Sequence, residues 1–296
     1  MQPSFRPLDG IRILSLALNL PGPAALQRCA DLGAVCSKLE PLAAPGQRSS
    51  DPMLAYTPKG YEDLHQGIRT LQANLKTPEG QATLHEELAR TDVLLTSFRK
   101  SAMLKLGVDW DTLHPRYPQL SLVAIYGNLD DPDEAGHDLT YQAQNDLVNG
   151  LHMPPTLFAD MSGALMATEA VLGCCLHRQE HGCGTVREVG LSQAVSFLAI
   201  PRTRYAMLGP DTQLGGQHVG YRVYACQDGR VALAALEPVF YQRLCQLIGG
   251  LDASEPDLML REETAGIIGQ WLAGKTRAEL GELARQHDLP LETLPA

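Results

Sequence analysis

Short runs of Ile, Leu and Val alternate, along the first half of the chain, with stretches in which apolar residues recur every three or four positions. The first run, Ile11 to Leu16, follows an Asp9-Gly10 turn. Pro21-Gly22-Pro23 then punctuates the chain, and AALQRCADLG has helical texture up to Gly33. A second apolar run, Ala34 to Leu39, comes at once. Strand, helix and strand within about thirty residues predict a right-handed βαβ unit and a parallel sheet. The alternation continues with a strand from Arg69 to Leu75, a helix from Thr77 to Arg90 opened by Thr and Pro, and a strand from Val93 to Thr96. A helix from Ser101 to His114 and a buried strand from Leu120 to Ile125 follow. This is the pattern of an α/β fold with a Rossmann-like open parallel sheet. The segment from Leu42 to Tyr61, rich in Pro, Gly, Ser and Ala, reads as a long loop that covers a ligand or merely connects.

After Tyr126 the texture changes to an acidic loop, GNLDDPDEAGHD. Helices are expected over Leu139 to Leu151 and, past the Pro154-Pro155 break, over Met161 to Gln179. The second of these is apolar or small nearly all round, which predicts burial against other helices or a subunit partner. A strand-like TVREVGL, a helix from Ser192 to Met207 and a Gly215-Gly216 break come next. Tyr221 to Ala225 and Val231 to Ala235, joined through Asp228-Gly229, form a β-hairpin signal. Helices then begin after Glu237-Pro238, at Arg261 to Leu272 and at Thr276 to His287, the last with a capping box from Thr276 to Glu279. The expected division is a Rossmann-like domain over 1–190, carrying the site helices, and a smaller α+β domain over 191–296.

Charge and composition narrow the possible partners. With 34 acidic against 24 basic residues, the 296-residue chain has a net charge of -10. That balance repels phosphate backbones, so nucleic acid is excluded, and a polyanionic ligand needs a local basic pocket. The 7 cysteines show no CxxC pair and no metal-ligand spacing, as expected for reduced thiols in a cytoplasmic protein without a metal. MQPSFRPLDG has no apolar signal core, and no later apolar run looks long enough to span a bilayer, so a soluble protein is expected. The turn between the first strand and helix lacks GxGxxG, and its prolines remove amides that a pyrophosphate needs. Nicotinamide chemistry is therefore disfavoured.

Three residues are candidates for acid/base work. His137 precedes Asp138, a residue able to cap the helix expected from Leu139, and a histidine there is a titratable base. Asp160 stands before an apolar helix, where it reads equally as an N-cap or as a base or nucleophile beside the small residues Ser162, Gly163 and Ala164. Glu237 follows the buried strand ALAALEP, where partial desolvation would raise its pKa, while a helix N-terminus would stabilise its charge. Spacing alone does not bring the three together.

PLDGIRILSL followed by PGPAALQRCADLGAVCSKLEP resembles the opening of the family III CoA-transferase superfamily, the carnitine and bile-acid CoA-transferase group. LKTPEGQATLHEELARTDVLLTSFR, LGVDWDTLHPRYPQL, AGHDLTYQAQ, FADMSGALMA and ALEPVFY follow in that family's order and cover nearly the whole chain. AGHD, the AD at Asp160 and the EPxFY string are most similar to the α-methylacyl-CoA racemase branch. The resemblance implies a coenzyme A thioester as substrate, no permanently bound cofactor and an interlocked homodimer. It implies that His137 with Asp160 removes or returns the α proton and that Glu237 assists or shapes the site. It also leaves CoA transfer through an Asp160 anhydride and thioester as an alternative, and an altered acyl-CoA-binding homologue as another. The enolate oxygen needs donors, for which backbone amides near Asp160 are the candidates. Lys38, Arg69 and Arg99 fall where the family contacts CoA. Ile68 stands where the family's basic segment has Lys and Asn74 where it has Asp, and relatives usually continue past the position of Ala296.

Overall fold

The computed structural model describes residues 5–296; the start of the MQPSFRPLDG segment lies outside the described residues. Its first compact unit ends at Ala199, and a second spans Ile200–Ala296. In chain order the first unit comprises β1 (Arg12–Ser15), α1 (Pro21–Asp31), β2 (Val35–Glu40), α2 (Pro52–Tyr56), α3 (Pro58–Leu64), β3 (Arg69–Gln72), α4 (Pro78–Leu88) and β4 (Val93–Thr96). It continues with α5 (Lys100–Leu106), α6 (Trp110–Leu113), β5 (Ser121–Tyr126), α7 (Asp138–Gln144), α8 (Phe158–His181), β6 (Val186–Gly190) and most of α9 (Leu191–Thr203). The strands form a parallel sheet in the order β3-β2-β1-β4-β5-β6.

The period-two alternation of strand side chains divides the core into two layers. Ile13, Val93, Leu95, Val123 and Ile125 face α1 and α8, where Ala25, Leu26, Cys29, Ala167 and Val171 meet them. Leu14, Leu94, Leu122 and Ala124 face the other way, onto Leu84, Leu88, Met103 and Leu113 of α4, α5 and α6. Strands buried on both faces account for the near-continuous apolar runs of the sequence. The expected strands are present with ends shifted by a residue or so, except that β3 stops at Gln72.

Several elements differ from their expected form. The single helix expected over 101–114 is broken where Gly107 turns left-handed at φ 66°. The loop over 42–61 carries α2 and α3, because Asp51 and Thr57 act as N-caps directly before Pro52 and Pro58. TVREVGL forms the sixth strand, paired to β5, so the sheet is complete only at Gly190 and the unit boundary falls inside α9. α8 starts three residues before the expected position. At 24 residues it also reaches the length and hydropathy of a bilayer span, contrary to the expectation from apolar runs alone. Ala167, Val171 and Cys174 lie in the core beside the sheet, and half of its most apolar stretch is buried, as in a core helix.

The second unit comprises β7 (Tyr221–Cys226), β8 (Gly229–Ala234), α10 (Pro238–Ile248), α11 (Glu262–Ala273), α12 (Arg277–His287) and β9 (Leu291–Leu294). The expected hairpin is widened to three antiparallel strands by β9, a strand that the sequence did not announce, pairing Leu291 with Leu233. Leu244, Ile268, Leu272 and Leu280 close a separate core against Val231 and Leu233. The expected capping box is present: Thr276 N–H donates to Glu279 Oε2 at 2.7 Å, and Glu279 N–H to Thr276 Oγ1 at 3.3 Å.

Candidate active site

In the order β3-β2-β1-β4-β5-β6 the strand order reverses between β1 and β4, and their C-terminal ends open a crevice where ligands of such folds bind. A cavity of about 160 Å³ lies there. Leu18 and Asn19 beyond β1, Phe98 and Arg99 beyond β4, and Gly127 beyond β5 form part of its wall, and His137, Tyr141 and Asp160 complete it. Leu18 N–H donates to Ser97 Oγ at 3.2 Å, which ties the β1 and β4 loops together.

Asp160 lies in the first turn of α8, not at its cap; the N-cap position is Leu157, which has no side-chain acceptor. The acceptor comes from α7. Asp138, buried at 5 % exposure, takes the amide hydrogens of Ala159 and Asp160 on Oδ1 at 2.8 and 3.0 Å. Gln142 donates to its Oδ2 at 2.5 Å. The residue expected to cap its own helix therefore caps the next one, and among the described residues no hydrogen bond acts on the Asp160 carboxyl. Burial, and then the neighbouring Asp138 charge, push the Asp160 carboxyl up to about 7. The two candidate oxyanion amides nearest Asp160 are consequently occupied by Asp138.

His137 holds the N-cap position of α7 and is exposed, with its N–H donated to Thr140 Oγ1 at 3.1 Å. It lines the same cavity as Asp160. Arg99 is exposed on the cavity wall and is the candidate CoA-binding residue that the structure places beside this pair. Lys38 is elsewhere in function: fully buried, its ammonium lies 2.5 Å from Asp51, 2.9 Å from Glu40 and 2.8 Å from His65 Nε2, and it presents no donor at the surface. Glu40, Asp51 and His65 have donor atoms close enough to hold a metal, but the lysine already supplies a cation to them. Burial, and then the Lys38 charge, lower the His65 pKa, so the ring can accept from the ammonium. Asp51 Oδ1 also accepts from Asn19 N–H at 3.0 Å, linking this cluster to the cavity wall. Arg69 is half-exposed and paired with Glu87. Glu237 is exposed at the N-cap position of α10 in the second unit, without a side-chain cap bond, so the expected desolvation is not found.

His137 and Asp160 thus line one cavity at the switch point of a doubly wound sheet, the place where enzymes of such folds hold their ligands. The particular family follows from comparison: the model of CoA-transferase family III matches residues 8–295, and the chain belongs to that family. It is 29% identical over 266 residues to succinate–glutarate CoA-transferase of Agrobacterium fabrum, covering 82% of this chain and 66% of that protein. It is 28% identical over 297 residues to human α-methylacyl-CoA racemase, covering 92% of this chain and 73% of that protein. The chain thus spans about two thirds to three quarters of the length of these two relatives. A crystal structure of a hypothetical protein from Mycobacterium tuberculosis superimposes with a TM-score of 0.81 at 26% identity, covering 97% of this chain and 83% of that one. The family named by the sequence motifs is borne out, and its named members include both transferases and racemases.

Two outcomes follow for the acidic pair. Asp138→Asn should bring the Asp160 pKa down only part of the way from about 7, since burial, the larger cause, remains. A ¹³Cγ titration of Asp160 reads this directly, and an unchanged midpoint would show that Asp138 has no influence. Because the folded-state pKa of Asp160 lies above the unfolded value of 3.8, folding is opposed by its ionisation, and stability falls as pH rises from about 4 to 7. Asp160→Asn should therefore stabilise the protein by about 1–2 kcal/mol at pH 8 and by much less at pH 4, as measured by urea denaturation at both.

Proposed function

We propose that the chain binds an acyl-CoA thioester and moves the proton on its α carbon, as a 2-methylacyl-CoA racemase or epimerase. The observation that carries this reading is that His137 and Asp160 line one cavity, with the Asp160 carboxyl near 7. A carboxyl at that pKa is populated in both protonation states at neutral pH, so it can take the α proton in one turnover direction and return it in the other. Excluding water around it strengthens the effect, because the carboxylate is poorly solvated. Arg99 at the cavity wall is the candidate contact for a CoA phosphate. The chemistry assigned here needs no metal and no redox cofactor.

CoA transfer is the second reading, favoured by the same half-buried carboxyl and by the transferases among the relatives. Here the Asp160 carboxylate attacks the thioester carbonyl and expels CoA thiolate, giving an anhydride that the thiolate reopens to aspartyl-CoA and free acid. Incubation with a 2-methylacyl-CoA in heavy water, with and without an acceptor acid, separates the two. Deuterium at the α carbon without an acceptor is the expected result, with a rate that rises with pH through about 7 and is abolished in Asp160→Ala. His137→Ala should slow exchange about 100-fold or more, in the range usual for a general acid or base. Acceptor-dependent movement of CoA without exchange would replace the racemase reading with the transferase one.

We also propose that a second copy covers the outward side of α8, where Met161, Leu165 and Leu176 are exposed. Sedimentation should give twice the chain mass at micromolar concentration; a single-chain mass would count against it.

A further inference from the structure

Any reaction at the α carbon or at the carbonyl of a thioester puts negative charge on the carbonyl oxygen, and that oxygen needs a donor already in place. The start of α8 does not supply one. The amides of Ala159 and Asp160 are given to Asp138, and that of Met161 to the carbonyl of Leu157 at 3.0 Å.

Another donor faces the cavity. The Tyr141 ring is 2 % exposed, packed in the core beneath the sheet ends, and the residue is part of the cavity wall with His137 and Asp160. Among the described residues no hydrogen bond acts on its hydroxyl, and the oxygen is not one of the fully buried polar atoms left without a partner, so it keeps access to the cavity that the residue lines. The backbone leaves room for that hydroxyl at two places. A Cβ at Gly127 or at Gly136 would fall inside van der Waals contact with the Tyr141 oxygen, and no other atom would be as close. Both glycines have ordinary backbone angles and are not among the positions with positive φ. The space, and not a turn, explains glycine at both. Burial, and then Glu134 and Asp160, raise the phenol pKa, so it stays a neutral donor through the working pH range.

We propose that Tyr141 is a catalytic residue whose hydroxyl donates a hydrogen bond to the thioester carbonyl oxygen of the substrate. The assignment rests on the acyl-CoA reading of the site above. In the proton-transfer reaction the α C–H bond breaks, its proton passes to Asp160 or His137, and its electron pair forms the C=C bond of the enolate while the carbonyl π pair moves to oxygen. Tyr141 keeps its proton throughout and holds the charged oxygen by the hydrogen bond. Return of the proton to carbon reverses each shift.

The test uses Tyr141→Phe, which keeps the ring and removes only the oxygen. Two measurements are made on 2-methylpropanoyl-CoA labelled with ¹³C at the carbonyl: the infrared carbonyl band of the bound thioester, and deuterium uptake at the α carbon. In the wild-type protein the band should move to lower frequency on binding, and in Tyr141→Phe it should return toward its position in an apolar solvent. The exchange kcat should fall by about 100-fold or more, as for loss of one oxyanion donor, with KM little changed. A band equally shifted in wild type and variant overturns the proposal, as does a wild-type band that does not move. A shift that is lost in the variant, in a protein whose wild type shows no α exchange, upholds Tyr141 as the carbonyl donor and refutes only the racemase reading.

Discussion

A single buried carboxylate holds the site together. Asp138 accepts two amides at the start of α8 and the Gln142 amide from its own helix, so it spends its charge where the partial positive end of a 24-residue helix is concentrated. Those bonds offset the cost of burying it. They also fix α7 against α8, and one turn along α7 from Asp138 stands Tyr141. The same charge, lying behind Asp160, works with desolvation to keep that second carboxyl in reach of protonation at neutral pH. Stability at the helix start and reactivity inside the cavity thus come from one side chain, and neither is adjustable without the other.

The Lys38 cluster plays a comparable part behind Asn19. An ammonium with no contact to water survives only because Asp51, Glu40 and His65 surround it. Glu40 is further satisfied by Ser49 and by the Tyr61 hydroxyl at 3.0 Å. Through Asp51 the cluster reaches Asn19, which is held in the left-handed region at φ 64°. Two buried polar assemblies therefore hold residues of the cavity wall from behind, Asp138 through Asp160 and the Lys38 cluster through Asn19, although Lys38 reads in the sequence as a ligand contact. A lysine in a string shared with a family whose substrate is anionic invites that reading; only the burial of its head group redirects it.

Periodicity made the parallel sheet legible, since strands enclosed on both faces write themselves as apolar runs and their crossovers as helical texture. β9 leaves no mark in the sequence because LETL alternates over only four residues and gains its register from β8. α2 and α3 were hidden in a Pro-rich loop because each is shorter than the window over which a helical period can be recognised. At the site, His137 and Asp160 stood out by residue type, yet their shared cavity is a consequence of β4, β5 and α7 meeting, which no spacing records. Asp138 reads as a cap, but for its own helix, because a cap supplied from 21 residues away in the chain looks the same in the sequence as a local one. Tyr141 offered no signal beyond its place one turn past the histidine.

The position of β6 in the chain bears on how this protein comes to exist. The strand is the last of the sheet, and Leu191, which directly follows it, both lines the cavity and fills the space left open by Gly163 of α8. During synthesis, Asp160 leaves the ribosome about thirty residues before Leu191, which lines the same cavity, at a stage when the pairing of β6 is still to come. Its carboxyl is then an ordinary solvated acid. Burial is the larger cause of its raised pKa and comes only with folding, so a partly made chain carries the residues of the site before their environment.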